Sequence, residues 1–303
     1  FAKSIKRFYP HVAVEDILVI THQTYFHLVK SQLKEIDPRL EKQILLEPEK
    51  RSTAPAICLA LKYFEEKGQV AEDECFLVCP SDHLMDEEVA FFSLVQEAEG
   101  IAKKGYHILF GVKPTYPETG YGYIKTGSVA TAPALYVEAF KEKPARKVAE
   151  EYVSLGNYFW NSGIFLFHLP TFKRDIEENC PEFCRLFNRS FQELHASFAE
   201  LPCISIDYAL IEKSQRNVVI PLNTRWSDVG SWDSVYELFE KDERRNVKVG
   251  KVVDLDSSGC LIMGSKRLVS TVGLEDLIVI ETDDAVFVGK KENLRTSSCL
   301  WKR

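Results

Sequence analysis

Two aspartates are the groups in this sequence best placed to do chemistry. Asp82 ends the stretch Cys75-Phe76-Leu77-Val78-Cys79-Pro80-Ser81-Asp82-His83, an apolar run of strand length stopped by a proline. Flanked by helical patterns, such a run reads as a central strand buried on both faces of a parallel sheet. Open α/β sheets bind ligands just beyond the carboxyl ends of their strands. A carboxylate there suits a hard divalent cation such as Mg²⁺; the competing reading is a cap for the next helix. Asp228 lies in Trp226-Ser227-Asp228-Val229-Gly230-Ser231-Trp232, a Gly-containing turn between two tryptophans. Brought to the same sheet edge, it completes a Mg²⁺ site with Asp82; alone, it reads as a turn residue or a cap of the helix beginning near Ser231. His83 is the poorer ligand, because Mg²⁺ prefers oxygen.

Other segments have the texture of ligand contacts. Glu118-Thr119-Gly120-Tyr121-Gly122-Tyr123 sets small residues among aromatics, so that backbone approaches a ligand while rings lie beside it, an arrangement suited to sugars. The alternative is a hairpin with core tyrosines. In Glu142-Lys143-Pro144 a carboxylate and an ammonium point to opposite faces if the segment is extended, and a solvated strand end is the ordinary explanation. Asn161, at the mouth of an apolar strand, is either a turn former or a partner for sugar hydroxyls. Glu47 to Ala56 reads as strand, turn and helix start, whose N–H groups and positive dipole end favour a nucleotide.

The elements that must position these groups alternate from the start. Strands are expected at 16–21, 43–47, 75–79 and 107–112, with helices over 22–36, 53–66 and 86–104. That rhythm implies βαβ crossovers and a mostly parallel sheet. Strands over 121–125, 135–140 and 159–167 lack long helices between them at every step, as in an antiparallel extension. Helical patterns follow over 170–179 and 181–198, then a strand at 218–222 and a helix to about 241. Short β-rich runs from Val247 to Val288 suit a β-helix stacked in coils or an ordinary meander. The tail from 291 to 303 has no periodicity and is expected to be poorly ordered.

Composition limits the function. The chain has 303 residues, 45% hydrophobic and 27% charged, with net charge −7. An acidic balance argues against a nucleic-acid partner. No run of about 18 apolar residues marks a membrane span. The eight cysteines include the pairs Cys75/Cys79 and Cys180/Cys184, but no histidine partners them in sequence, which disfavours zinc. Cysteines within apolar runs point to a reduced, cytoplasmic setting.

Eight blocks occur in the order of one family. They are Glu47-Pro48-x-x-Arg51-Ser52-Thr53-Ala54-Pro55-Ala56, Pro80-Ser81-Asp82-His83, Gly111-Val112-Lys113-Pro114, the Pro117 to Ile124 segment, Phe140-x-Glu142-Lys143-Pro144, Trp160-Asn161-Ser162-Gly163-Ile164-Phe165, Ser205-Ile206-Asp207-Tyr208-Ala209 and the Trp226 to Trp232 turn. Together they resemble the bacterial mannose-1-phosphate guanylyltransferases, from about Asp16 to Gly289. The resemblance implies a Rossmann-like, GT-A-like α/β fold: a mixed sheet flanked by helices with a small C-terminal left-handed β-helix-like portion. It implies a nucleotidyltransferase domain over 1–243, the β-helix-like portion over 244–290 and a tail over 291–303.

The implied activity is Mg²⁺-dependent transfer of GMP from GTP to mannose 1-phosphate. Asp82 and Asp228 would hold the metal and Lys143 the sugar phosphate, these three being the catalytic set. Glu142, Asn161, Gly120, Tyr121 and Gly122 would meet the sugar, and Glu47, Arg51, Ser52 and Thr53 the nucleotide. Where the family has Asn after the Arg, this chain has Ser52, which keeps a capping group but places one nucleotide contact in question. The family opens with a strand and a Gly-rich loop bearing an Arg, whereas Phe1 to His11 holds no glycine. A fragment with weak or no turnover is therefore expected. The alternatives are a piece of a bifunctional mannose-6-phosphate isomerase/guanylyltransferase or a silent sugar-nucleotide-binding relative. A homodimer through the β-rich portion is a further expectation.

Overall fold

The computed structural model describes residues 1–9, 11–68, 70–86, 88–183 and 189–291. Two compact units divide at Trp226/Ser227.

The first unit is a layered α/β structure. β1 (Val19–His22) and β2 (Ile44–Glu47) pair in parallel, joined by α2 (Phe26–Ile36), which follows the short N-terminal helix α1 (Ala2–Phe8). α3 (Thr53–Glu66) takes Pro55 in its first turn, where a missing N–H costs nothing. Its Ala54, Ile57, Cys58 and Leu61 recur at helical spacing and are buried.

A second sheet holds six strands: β3 (Cys75–Val78), β5 (His107–Val112), β6 (Tyr123–Thr131), β7 (Ala134–Lys141), β8 (Tyr158–His168) and β9 (Asn217–Leu222), in the order β3-β8-β5-β9-β7-β6. The two-residue β4 (Leu84–Met85) lies apart from it. Only β5 and β9 are parallel in this sheet; β8 runs antiparallel to β3, β5 and β6.

The central strand is therefore β5, every residue of which is buried. Leu109 faces one hydrophobic cluster with Phe165, Phe167 and Val219, while Ile108, Phe110 and Val112 face the other with Ile164, Leu166, Val218 and Ile220. The expectation of a central strand at Cys75 is corrected. β3 is an edge strand, antiparallel to β8 and partly buried throughout. Its apolarity reports two covered faces, since Phe76 and Val78 pack on one cluster and Cys75 and Leu77 on the other. It reports neither position in the sheet nor direction. The mostly parallel sheet is likewise corrected to a mixed one, while the expected antiparallel extension is present as β6, β7 and β8.

Helix bounds are tighter than periodicity implies. The helix expected over 86–104 covers Glu88–Ala102. The one expected over 181–198 contains a separate helix, Phe191–Ala196, opened by a capping box of Ser190 and Glu193.

After the two-residue β10 (Trp226–Ser227), the second unit is built of longer strands. In it β11 (Val247–Leu255), β12 (Leu261–Val272) and β13 (Leu277–Glu281) pair in parallel, and β14 (Val286–Lys290) closes the sheet antiparallel to β13. Parallel neighbours decide for stacked coils, because successive strands of a meander run antiparallel. Both long strands bend: the β11/β12 register shifts between Gly250 and Val252. A Cβ at Gly250, whose φ is +78°, would lie 1.9 Å from the Gly264 carbonyl oxygen, so no side chain fits the corner. Val247, Leu261, Ile278 and Ile280 fill the coil interior together with Tyr236. The tail from 292 to 303 lies outside the described residues.

Candidate active site

Three adjoining segments of the six-stranded sheet gather a polar cluster. Gly122 precedes β6, Glu142 follows β7 and Asn161 lies in β8. The Gly122 carbonyl accepts the Asn161 N–H (2.8 Å), and the Tyr121 carbonyl accepts the Lys143 N–H (3.2 Å). A Cβ on Gly122 would come within 2.5 Å of Glu142 Oε2, 3.0 Å of Phe140 Cζ and 3.3 Å of Asn161 Cβ. Glycine is required here by close approach.

The cluster includes a carboxylate that sequence reasoning left out of the site. Asp207 accepts a hydrogen bond from Asn161 Nδ2 (Nδ2···Oδ1 2.7 Å), while Asn161 Oδ1 accepts the Gly163 N–H (3.1 Å). Asp207 begins a single π-helical turn, Asp207–Ile211, closed by the Glu212 N–H on the Asp207 carbonyl; such turns recur at functional sites. The sequence signal was the Ser205 to Ala209 block itself, in which Asp207 is the only ionisable side chain besides Tyr208.

Burial and, secondarily, the charge of Asp207 push the Glu142 carboxyl above its ordinary value, against the pull of Lys143. Burial likewise raises Asp207, opposed by the bond from Asn161. Lys143 is not extended. Its φ is +46°, and its Nζ turns back to 3.2 Å from Glu142 Oε1, so the two side chains share one side rather than opposite faces as expected. The ammonium remains 63% exposed, available to an anion.

The Gly120 loop is held from below. Glu118 Oε1 accepts the N–H groups of Thr119 and Gly120, both at 2.8 Å, and the Tyr123 hydroxyl donates to the Glu118 carbonyl. Tyr121 is 5% exposed, edge-on to Trp160 and Trp226. Its ring belongs to the core.

Gly163 extends the cluster to the Asp82 segment: a Cβ on it would lie 3.2 Å from Pro80 Cγ and 3.8 Å from His83 Cε1. Asp82 itself is 83% exposed, with His83 Nε2 at 3.7 Å. It does not cap a helix, since the next one begins at Glu88. In the second unit Asp228 Oδ1 accepts the Gly230 N–H (2.8 Å), and Ser231, not Asp228, caps the Trp232–Leu238 helix. A divalent cation of the Mg²⁺ type asks for oxygen donors and one or two carboxylates, a demand that an exposed aspartate on a strand-end turn meets. Among the described residues no three His, Cys, Asp or Glu side chains converge, and Mg²⁺ does not require that.

The Glu47 to Thr53 segment is more occupied. Glu47 ends β2 half-buried; burial raises its carboxyl, while His22 and Lys50 pull it down. Arg51 pairs with Glu49 (2.9 Å) and donates to the Leu201 carbonyl. The Thr53 hydroxyl accepts the Ile206 N–H (2.8 Å), and Ala54 N–H donates to the Ile204 carbonyl. The capping expected of Ser52 is corrected: its side chain makes no cap bond, and φ +68°, ψ −172° lies in a region proper to glycine.

Comparison with known proteins gives the family. The nucleotidyl transferase family model matches residues 3–245, and that of the MannoseP isomerase/GMP-like β-helix domain matches 250–296. The alginate biosynthesis protein AlgA of Pseudomonas putida is 40% identical over 291 residues, 92% of this chain and 59% of its own. A mannose-1-phosphate guanylyltransferase of Salmonella muenchen is 36% identical over 96% of this chain and 63% of its own. The chain thus spans about three fifths of these relatives. A Thermus thermophilus structure described as a mannose-1-phosphate geranyltransferase superposes with TM-score 0.83 at 31% identity, covering 97% of this chain and 85% of that one. A Helicobacter pylori mannose-6-phosphate isomerase structure gives TM-score 0.63 at 27% identity, over 75% of this chain and 89% of that one. With a family model spanning nearly all of the first unit and a β-helix model over the second, the chain belongs to the nucleotidyl transferase family.

Proposed function

We propose that this protein transfers GMP from GTP to mannose 1-phosphate, giving GDP-mannose and pyrophosphate. The observation that carries this reading is the convergence of Glu142, Asn161 and Asp207 about Gly122, with Lys143 beside them and Gly163 leading to the Asp82 turn. Buried carboxylates and an amide accept and donate to sugar hydroxyls; an exposed ammonium beside them takes the sugar's phosphate.

In the reaction a phosphate oxygen of mannose 1-phosphate attacks the α-phosphorus of GTP in line. The bond from that phosphorus to the oxygen bridging to the β-phosphate breaks as pyrophosphate leaves. Lys143 holds the attacking phosphate while Glu142 and Asn161 fix the ring, with the Gly120, Tyr121 and Gly122 main chain alongside. Orientation of this kind accounts for much of the acceleration in such transfers. Asp82 would hold Mg²⁺, which when bound neutralises charge on the phosphates. Glu47, Arg51, Ser52 and Thr53 form the nucleotide side, Thr53 by fixing the Ile206 loop to the start of α3.

The same reading takes the protein as cytoplasmic, in keeping with its free cysteines and net charge of −7. No described helix is long and apolar enough to cross a membrane. Homodimerisation is supported by Val253, Leu255, Leu268 and Val272, exposed on the coils.

Calorimetric titration with GDP-mannose and Mg²⁺, followed by a pyrophosphate-release assay with GTP and mannose 1-phosphate, tests the reading. Binding that Asn161→Ala or Lys143→Ala weakens at least tenfold supports it; no binding by the unaltered chain overturns it. Binding without pyrophosphate release, persisting once a strand and Gly-rich loop bearing an Arg are added ahead of Phe1, identifies a silent sugar-nucleotide binder.

A further inference from the structure

The turn that carries Asp82 does not hold itself. Its only strand, Leu84–Met85, has two residues, too few to fix an exposed loop. The bonds that define it arrive from two elements distant in sequence. From α1, Ser4 Oγ donates to the Ser81 carbonyl (2.9 Å) and Arg7 Nη2 to the Met85 carbonyl (3.4 Å). Ser4 and Arg7 are three apart, on one face of the helix, and each is only 3% exposed. They grip the turn one residue before Asp82 and three after it. From the 224–226 segment, the Arg225 carbonyl accepts the Asp86 N–H (3.1 Å) and Thr224 Oγ1 donates to the Asp86 carbonyl (2.6 Å). Arg225 Nε also donates to Asp86 Oδ2 (2.8 Å), and the His83 ring stands edge-on to Trp226 at 5.2 Å.

Burying a guanidinium costs desolvation that directed contacts must offset, and one such contact of Arg7 is the Met85 carbonyl. What Arg7 supplies is direction: the carbonyl on which it acts fixes the backbone that presents Asp82. The Asp86–Arg225 pair is over 40% exposed on both sides, so by itself it adds little stability. Its value lies in register, because it ties the Asp82 turn to the 224–226 segment.

We propose that Ser4 and Arg7 on one side, and Thr224, Arg225 and Asp86 on the other, are positioning residues that set the Asp82 carboxylate for a divalent cation. This rests on the reading of Asp82 as a metal ligand. The test is titration of the whole chain with Mn²⁺ alone, following loss of the free-ion electron paramagnetic resonance signal, with thermal unfolding measured in parallel. Arg225→Ala is diagnostic because two accounts predict opposite signs. Removing a surface cation near a cation site tightens binding by Coulomb attraction alone, whereas loss of positioning loosens it. We expect Arg225→Ala to weaken Mn²⁺ about fivefold, Arg225→Lys to recover most of that and the uncharged change Thr224→Val to weaken it about threefold. Unfolding temperatures should stay within a few degrees. Ser4→Ala probes the α1 side with the same expected sign. Unchanged or tighter Mn²⁺ binding in Arg225→Ala and Thr224→Val, with Asp82→Asn still weakening it about tenfold, overturns positioning while leaving Asp82 a ligand. Wild-type protein that binds no Mn²⁺, or binds it equally after Asp82→Asn, overturns the ligand reading and the proposal with it.

Discussion

Glu142 and Asp82 are both carboxylates just beyond a strand of the same sheet, yet one is 13% exposed and the other 83%. Glu142 stands in a cluster whose members already bond one another: Lys143 to its carboxylate, Asn161 to Asp207, Gly122 packed against it without room for a methyl group. Asp82 stands on a turn whose backbone is gripped from both sides while its side chain reaches into water. The difference is one of preorganisation. A sugar offers only weak, neutral hydroxyls, so its partners must be desolvated and aligned in advance. A hydrated divalent cation brings its own charge, and needs the ligand's root fixed more than its tip.

That contrast can be broken at either end. The largest effect is expected at Glu142. Glu142→Gln removes a charged acceptor and should cost roughly 10- to 100-fold in GDP-mannose affinity, on the order of 1.5–3 kcal/mol, read by calorimetry; unchanged affinity would place the sugar elsewhere. At the metal end, Asp82→Asn should lower Mn²⁺ affinity by about tenfold while stability stays within about ±0.5 kcal/mol, as for exposed positions in general. A large drop in unfolding temperature there would show a structural carboxylate instead.

The pH dependence should separate the two ends again. Burial raises Glu142 and Asp207 above their ordinary values, so the folded protein keeps protons there that the unfolded chain has released. Their favourable contribution to stability is complete below the unfolded carboxyl pKa and is lost as pH rises through the raised folded values. Glu142→Gln and Asp207→Asn should therefore stabilise the protein at neutral pH and lose that advantage on acidification. Sugar binding runs the other way: it needs the ionised acceptors and should fall on acidification through the same raised values. Unfolding scans and calorimetry from pH 4 to pH 8, a window chosen to span roughly the ordinary carboxylate range and neutrality, would check both signs.

The smallest effect concerns Ser52. Relief of its positive φ should make Ser52→Gly more stable by about 0.5–1 kcal/mol, strain relief exceeding the added chain entropy. Denaturant melts would detect it, and destabilisation would mean the serine side chain holds something in place.

Much of this was legible in the residues, and the failures have physical causes. Period-two and 3.6-residue patterns located β5, β8 and α3 because each has faces packed on a core. They misplaced β3, since an apolar run records covered faces and not strand order. The polar cluster was legible for Gly122, Glu142 and Asn161 through the family resemblance of their blocks, since strand ends alone also fit a hairpin, a solvated charge or a turn. Asp207 was missed because its role depends on a π turn and on a partner 46 residues away, neither of which any local pattern encodes. The expected divergence of Glu142 and Lys143 failed for a similar reason: one left-handed residue, φ +46° at Lys143, reverses the strand rule.

Mannose 1-phosphate binding to the whole chain, measured by calorimetry for wild type and Asp207→Asn, tests the central claim most directly. The account predicts that the wild type binds, that Asp207→Asn folds at least as stably at neutral pH, and that its affinity falls at least tenfold. Equal affinity in the two proteins, or binding that survives Glu142→Gln and Asp207→Asn together, would contradict it.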